Sequence, residues 1–285
     1  MRDFELEKVA SSFWVQIRET TRARVAKARS TGQVETLKQM AISRVQTARF
    51  SQALSVGKPG KVIAEIKRAS PSQGLLSANL DAVETARDYL AAGATAISVL
   101  TEPHFFGGAV ADLVQVRAAF PDVPLLMKDF VLDSYQLQLA KAAGADAVLL
   151  MASFLEGSQM AELHAEAESL GLEILCEVHS AQELEGLLQL QPRFQPKMIG
   201  VNNRNLKTLS VDLRTSETLA EVLKGHPVLK ISESGIHTPL QIRQLIAWGY
   251  QAFLIGTALT QNKSQKKSQI QDLLGLGRLQ NSEAP

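Results

Sequence analysis

The chain has 285 residues, 45% of them hydrophobic, and a net charge of +1. That is ordinary globular composition with length enough for one large core, and it carries no basic excess of the kind a nucleic-acid surface needs. No apolar run reaches the ~20 residues of a membrane helix, and the first residues (Met1 to Glu7) lack the basic-then-apolar layout of a secretory leader. A cytoplasmic protein without nucleic-acid or membrane partners is expected.

The first ~55 residues read as helical, with separate stretches from Glu7 to Lys27 and from Val34 to Phe50. Two places are open to them, the bottom or the top of whatever follows. After residue 60, short apolar runs alternate with longer helical patterns. The strands expected are Val62–Arg68, Ala96–Thr101, Pro124–Phe130, Ala147–Ser153, Glu173–His179, Met198–Arg204, Val228–Gly235 and Ala252–Thr257. Helices are expected near 81–92, 110–120, 134–143, 158–170, 180–190, 212–224, 238–248 and 265–274, with apolar spacing as in Leu240, Ile242, Leu245 and Ile246. Gly93, Gly144, Gly171 and Gly249 fall where a left-handed helix cap belongs. The tail after Gly277 is polar.

Eight strand–helix alternations call for a parallel sheet with right-handed crossovers, and their spacing favours a closed (β/α)8 TIM barrel. A doubly wound open sheet is the alternative, but no Gly-x-Gly-x-x-Gly turn follows the first strand. The expected organisation is a helical extension over 1–55, a catalytic barrel over 56–277 and a flexible tail over 278–285.

Catalytic groups of such a barrel collect at the C-terminal strand ends. Strand one ends with Glu65 and Lys67 on one face, Ala64 and Ile66 on the other, and Ser70 beyond. Strand three ends in Lys128 and Asp129, and strand five in Glu177. Strand six ends in Asn202, Asn203 and Arg204, and strand seven in Ser232, Glu233 and Ser234. One lysine at a strand end is usually just a solvated terminus; several polar groups converging from different strands suggest a site. Ser234-Gly235-Ile236 and Ile255-Gly256-Thr257 end adjacent strands, where small residues let backbone N–H groups approach a phosphate; glycine in a tight turn is the simpler reading of either alone, but the two together favour a phosphate site. Phe105, Phe106 and Phe130 either cap the core or flank an aromatic ring.

The sole cysteine, Cys176, permits neither an intramolecular disulfide nor a Cys-rich zinc site; it should point away from Glu177 into the packing helices. Of five histidines, His164 and His226 fall on or beside helices as solvated residues. His104, His179 and His237 lie in loops on the active face without metal-ligand spacing. No metal site, nucleotide loop or cofactor fingerprint is assigned.

The run Ile63-Ala64-Glu65-Ile66-Lys67-Arg68-Ala69-Ser70-Pro71-Ser72 closely resembles the first-strand signature of the indole-3-glycerol phosphate synthase family. Ser98–Pro103, Leu126–Phe130, Glu177–His179, Ile199–Leu206 and Ser232–Ile236 resemble its later strands, in order, from about Arg49 to Thr260. The first ~45 residues are only weakly similar. The resemblance implies conversion of a phosphorylated small molecule, 1-(o-carboxyphenylamino)-1-deoxyribulose 5-phosphate, to indole-3-glycerol phosphate, carbon dioxide and water, without a cofactor and in the pathway to tryptophan.

It also implies roles. Lys128 would be the general acid at the substrate carbonyl, and Glu177 the acid/base partner in loss of the hydroxyl. Lys67 would supply positive charge or act as a second acid. Glu65 and Asn202 would orient the lysines and substrate hydroxyls, and Glu233 and Ser234 would complete the polar ring. Ser70, Gly235, Gly256 and Thr257 match phosphate-side positions, Arg204 matches the position facing the aromatic carboxylate, and Phe106, Phe130 and Leu206 match the apolar walls.

Two positions depart from the family's habit. His104 stands where lysine is common, and Ala109 where serine is common, which removes a capping hydroxyl from the start of helix two. Three rivals share the architecture. A phosphoribosylanthranilate isomerase would need a cysteine base on strand one, whereas the cysteine here is on strand five. A lysine Schiff-base aldolase would use Lys67 or Lys128 as nucleophile, and a binding-only barrel would be expected to have lost one of Lys67, Lys128 and Glu177. A monomer is the expected state, since no fused isomerase barrel follows.

Overall fold

A computed structural model describes residues 2–31, 39–40, 50–206, 208–260 and 266–273. Eight parallel strands close into a barrel: β1 Lys61–Ile66, β2 Ala96–Leu100, β3 Leu125–Lys128, β4 Ala147–Met151, β5 Glu173–Val178, β6 Met198–Asn202, β7 Leu229–Glu233 and β8 Ala252–Ile255. Each strand pairs with its sequence neighbours, and β1 closes the ring on β8 with Ala64 opposite Ile255. Closure leaves no sheet edge, which settles the choice against the open sheet.

The strands are nearly all buried because helices cover their outer faces and side chains fill the inside. Helices at 82–91, 110–119, 134–143, 157–169, 181–188, 214–222, 239–247 and 266–273 follow the strands as the spacing predicts. Gly93, Gly144, Gly171 and Gly249 all have positive φ where a helix stops and the next strand approaches.

Most of the strands end one or two residues earlier than their apolar runs suggested. At β7 the cause is explicit. Ser234 (φ 66°) and Gly235 (φ 77°) turn the backbone out of extended geometry, so the ladder cannot continue past Glu233. Two small elements also lack a periodic signal: an antiparallel hairpin pairing Ala69–Ser70 with Gly74–Leu75, and the helical turn Pro103–Phe106. That turn holds His104 in a helix, not a loop, because the Glu102 carboxylate accepts the N–H groups of His104, Phe105 and Phe106. Ala109 starts the next helix with extended backbone and no side-chain cap, as its missing hydroxyl implies.

The N-terminal segment covers both ends of the barrel. Helix α1 (Arg2–Ser30) lies over the C-terminal end, since its partners all follow strand tips. Arg24 Nη1 donates to Asp129 after β3 at 2.9 Å, and the Trp14 indole N–H donates to the Leu206 carbonyl after β6. The Trp14 ring also meets Phe130 and Phe154 edge-on. Helix α2 (Phe50–Ser55) closes the opposite end, with Phe50 and Leu54 buried and the Ser51 N–H donating to Glu173, the first residue of β5, at 3.1 Å. Most of the expected Val34–Phe50 helix and the whole tail after Gly277 lie outside the described residues.

Candidate active site

A cavity of about 430 Å³ opens at the C-terminal end of the barrel, a volume suited to a small organic ligand. It is built by alternation. At the end of β1 the odd residues Glu65 and, just beyond the strand, Lys67 point in, while Ala64 and Ile66 pack outward, and the same rule turns Glu177 in and Cys176 out. Burial pushes the Cys176 thiol up to about 12, so it is an inert core residue.

The charged centre is Lys128. Its Nζ lies 2.9 Å from Glu177 Oε2 and 2.9 Å from Glu233 Oε2, joining β3, β5 and β7 across the barrel mouth. Burial by itself would lower the Lys128 pKa, but Glu177, Glu233 and Glu65 outweigh it and hold the ammonium above its ordinary range. The two carboxyls respond oppositely. Burial acts to raise Glu177, yet Lys128 and His179 overcome it and keep this carboxylate well below the usual range. Glu233 is pushed up to about 8 by burial and by the neighbouring Glu177 charge, which together exceed the help from Lys128. One ammonium thus faces two carboxyls whose pKa values move in opposite directions, with Glu233 the harder of the two to ionise.

Gly200, which pairs with Glu177 in the ladder, makes room for this arrangement. A Cβ there would stand 2.1 Å from Glu233 Oε1.

Beside this centre Lys67 Nζ donates to Glu65 Oε1 at 2.7 Å. Gly256 leaves space for both, because a Cβ would sit 2.4 Å from Glu65 Oε1 and 2.8 Å from Lys67 Nζ. Asn202 Oδ1 accepts the Arg204 N–H at 3.0 Å, and Arg204 Nη1 donates to the Leu209 carbonyl at 2.8 Å. Arg204 has no carboxylate partner among the described residues, and burial lowers its pKa with only partial compensation from Glu65. A half-buried guanidinium without a counter-ion is a ready site for an anion.

All the residues given a role by the family resemblance line this one cavity: Lys67, Lys128, Glu65, Glu177, Asn202, Glu233 and Ser234 with Ser70, Phe106, Phe130, Arg204, Leu206, Gly235, Gly256 and Thr257; Phe105 does not, and packs edge-on against Phe13 instead. The sequence reading missed Phe13 and Trp14, which enter from α1, and Met151, Leu209 and Val211. An aromatic pair in an otherwise charged helix was the available signal for the first two.

Asn203 and Asp129, each the first residue past a strand, serve as struts. Asn203 Nδ2 donates to Ser232 Oγ, to the Glu233 carbonyl and to the Ser234 carbonyl, and so holds the β7 turn. Asp129 accepts from Arg24, from Thr101 Oγ1 and from the Phe130 N–H.

One more histidine needs correction: His164, expected in solvent, is 3% exposed, stands edge-on to Phe194, and has a pKa lowered by burial. His179 lies in the loop after β5 as expected, tucked beside Glu177. His226 and His237 are exposed.

Comparison with known proteins agrees with this geometry. The family model described as indole-3-glycerol phosphate synthase matches residues 15–273, well into the N-terminal region that looked only weakly similar. An indole-3-glycerol phosphate synthase of Albidiferax ferrireducens is 46% identical over 220 residues, covering 76% of this chain and 81% of that protein. Indole-3-glycerol phosphate synthase 1 of Streptomyces coelicolor is 41% identical over 262 residues, covering 92% and 94%. Among solved structures, 3-keto-L-gulonate-6-phosphate decarboxylase of Vibrio cholerae superposes with a TM-score of 0.58 at 17% identity, over 78% of this chain and 99% of that one, and so speaks for the fold alone. With the model spanning nearly the whole chain and relatives aligned across the barrel strands, the chain belongs to the indole-3-glycerol phosphate synthase family.

Proposed function

We propose that Lys128 is the general acid of this indole-3-glycerol phosphate synthase and that Glu177 is its acid/base partner. The enzyme is a carboxy-lyase of tryptophan biosynthesis. Its reaction closes the pyrrole ring of 1-(o-carboxyphenylamino)-1-deoxyribulose 5-phosphate and releases carbon dioxide and water. Closure needs a proton at the ketone oxygen as the ring carbon attacks. Loss of the carboxylate then restores the aromatic ring, and a hydroxyl must finally leave as water with help from an acid.

The observation that carries the assignment is the placing of Lys128 Nζ at 2.9 Å from both Glu177 and Glu233 at the centre of the cavity. The carboxylates hold Lys128 protonated, the form a general acid needs, and Glu177 stands ready to take or return a proton next to it. The same raised pKa works against a Schiff-base aldolase, whose lysine must attack as a neutral amine.

Substrate charge has matching ground. Arg204 faces the aromatic carboxylate as a planar fork. Ser70, Gly235, Gly256 and Thr257, from the ends of strands one, seven and eight, take the phosphate, with Lys67 supplying positive charge toward either anion. Glu65 and Asn202 orient Lys67 and Arg204, and Glu233 and Ser234 close the polar ring. Phe106, Phe130 and Leu206 wall the aromatic ring.

No described helix is long and apolar enough to cross a membrane, and a cytoplasmic monomer is the state this reading carries. The test is a continuous indole-fluorescence assay on purified protein with the carboxyphenylamino substrate and chelator present. A fluorescence rise in the wild type is expected, with severe loss in Glu177→Gln at the dehydration step. Wild-type turnover in Glu177→Gln would remove that residue from the mechanism.

A further inference from the structure

The Glu177 carboxylate is held from two sides, and only one of them is Lys128. Its other oxygen, Oε1, lies 3.2 Å from His179 Nε2. The approach is off the axis of an aligned hydrogen bond, so the contact is chiefly ionic. His179 is in turn gripped by Glu183, whose Oε2 accepts the His179 backbone N–H at 2.8 Å and stands 3.3 Å from Nδ1. Glu183 is set by a helix start: Ser180 is the N-cap of the helix Ala181–Leu188, and its hydroxyl accepts the Glu183 N–H. A capping box normally turns the third-position Glu back onto the cap's own N–H. Here that carboxylate reaches one residue further and orients an imidazole.

We infer that His179, held by Glu183, is a positioning residue that keeps the Glu177 carboxylate ionised and in place while Lys128 delivers its proton. The inference deepens the proposed mechanism and rests on Glu177 being the partner of Lys128. The groups facing Glu177 are Lys128 from β3, Glu233 from β7 and His179 at the end of its own strand. When the Lys128 proton moves to the substrate carbonyl oxygen, Glu177 loses one of its two cationic neighbours. His179 is then the remaining positive charge, so it limits how far the basicity of Glu177 rises at that moment. The pair Glu177 and Glu183 keeps the imidazole charged for this purpose. Burial would lower its pKa, but the two carboxylates raise it to about 9. The side chain is only 6% exposed, so solvent does little to screen the contact.

The experiment compares kcat, KM and the pH profile of kcat for wild type, His179→Leu, His179→Gln, Glu183→Gln and Glu177→Gln. His179→Leu should lower kcat about 10-fold or more while KM stays within about threefold, the signature of a lost transition-state interaction. Its acid limb should move to higher pH, because Glu177 without the imidazolium protonates more easily. His179→Gln restores a donor but no charge, so it should recover part of kcat and keep the displaced limb. Glu183→Gln lowers the imidazole pKa, so its rate should fall on the alkaline side at lower pH than in the wild type. Wild-type kcat and an unmoved profile in both His179 variants would overturn the inference while leaving Glu177 in its role. Wild-type turnover in Glu177→Gln would instead overturn the mechanism beneath it. If His179→Leu fails to fold, the glutamine and Glu183 variants carry the same test.

Discussion

Two buried ion clusters sit at opposite ends of the barrel, and they differ in how completely they are satisfied. At the bottom, Arg117 donates to the Gly144, Phe120 and Pro121 carbonyls and pairs with Asp146, which also accepts the Leu125 N–H. The Arg117–Asp146 pair is held by several backbone groups, and it ties a helix to the starts of β3 and β4. At the mouth, one lysine faces two carboxyls, Glu233 Oε1 has no aligned hydrogen-bond partner among the described residues, and the pKa values of the two acids are driven apart. Burial of charge does not separate structure from chemistry. Imbalance does, because unsatisfied capacity in a cavity is available to a substrate, whereas a saturated pair has nothing left to offer.

Lys128→Met should produce the largest effect. Loss of a positioned general acid costs about 10³-fold or more in kcat, while binding of an unreactive substrate analogue, read by calorimetry, should persist. Turnover near wild type would mean the mouth cluster is as structural as the bottom one. Asp146→Ala should do the converse. Stripping one partner from a buried pair costs roughly 3–5 kcal/mol of stability in denaturant unfolding, and the folded fraction should turn over at the wild-type rate.

Glu233→Gln tests the imbalance itself. A carboxyl whose pKa is raised to about 8 in the folded state favours folding fully only below its unfolded value near 4.5. That contribution is lost as the pH rises through about 8. Glutamine does not titrate, so the Tm of the variant relative to wild type should climb between pH 5 and 8 and then level off. A difference that stays flat over that range would show Glu233 ionised throughout. Ala109→Ser should have the smallest effect. It adds a hydroxyl to an extended, uncapped N-cap at the rim, worth about 0.5–1 kcal/mol of added stability with kcat unchanged. A rate change there would show that the rim's order matters to turnover.

Much of this molecule is legible in one dimension, for identifiable reasons. Alternation placed Glu65 with Lys67 and set Glu177 against Cys176, because a strand's side-chain period of two does not depend on what surrounds it. Helix positions followed from apolar spacing and from glycines whose positive φ the structure confirms at residues 93, 144, 171 and 249. Legibility failed where a long-range neighbour decides the outcome. His164 has the spacing of a surface helix residue, but it is buried in the folded chain and stands edge-on to the sequence-distant Phe194. The Glu-x-His spacing of 177 and 179 shows a shared face, but the grip of Glu183 depends on how the next helix begins.

The sequence by itself determined the strand and helix order and the inward-facing polar residues, since each follows from local period and chain connectivity, and it favoured a closed barrel that the pairing of β1 with β8 then settled. Tertiary structure alone decided that α1 closes over the mouth and α2 over the base, and that Trp14 joins the cavity wall. It also decided which of two chemically identical acids is the harder to ionise. Glu177 and Glu233 are the same side chain at the ends of two strands. Lys128 reaches both, but His179 reaches only Glu177, and the electrostatics of a buried site depend on such distances rather than on residue type.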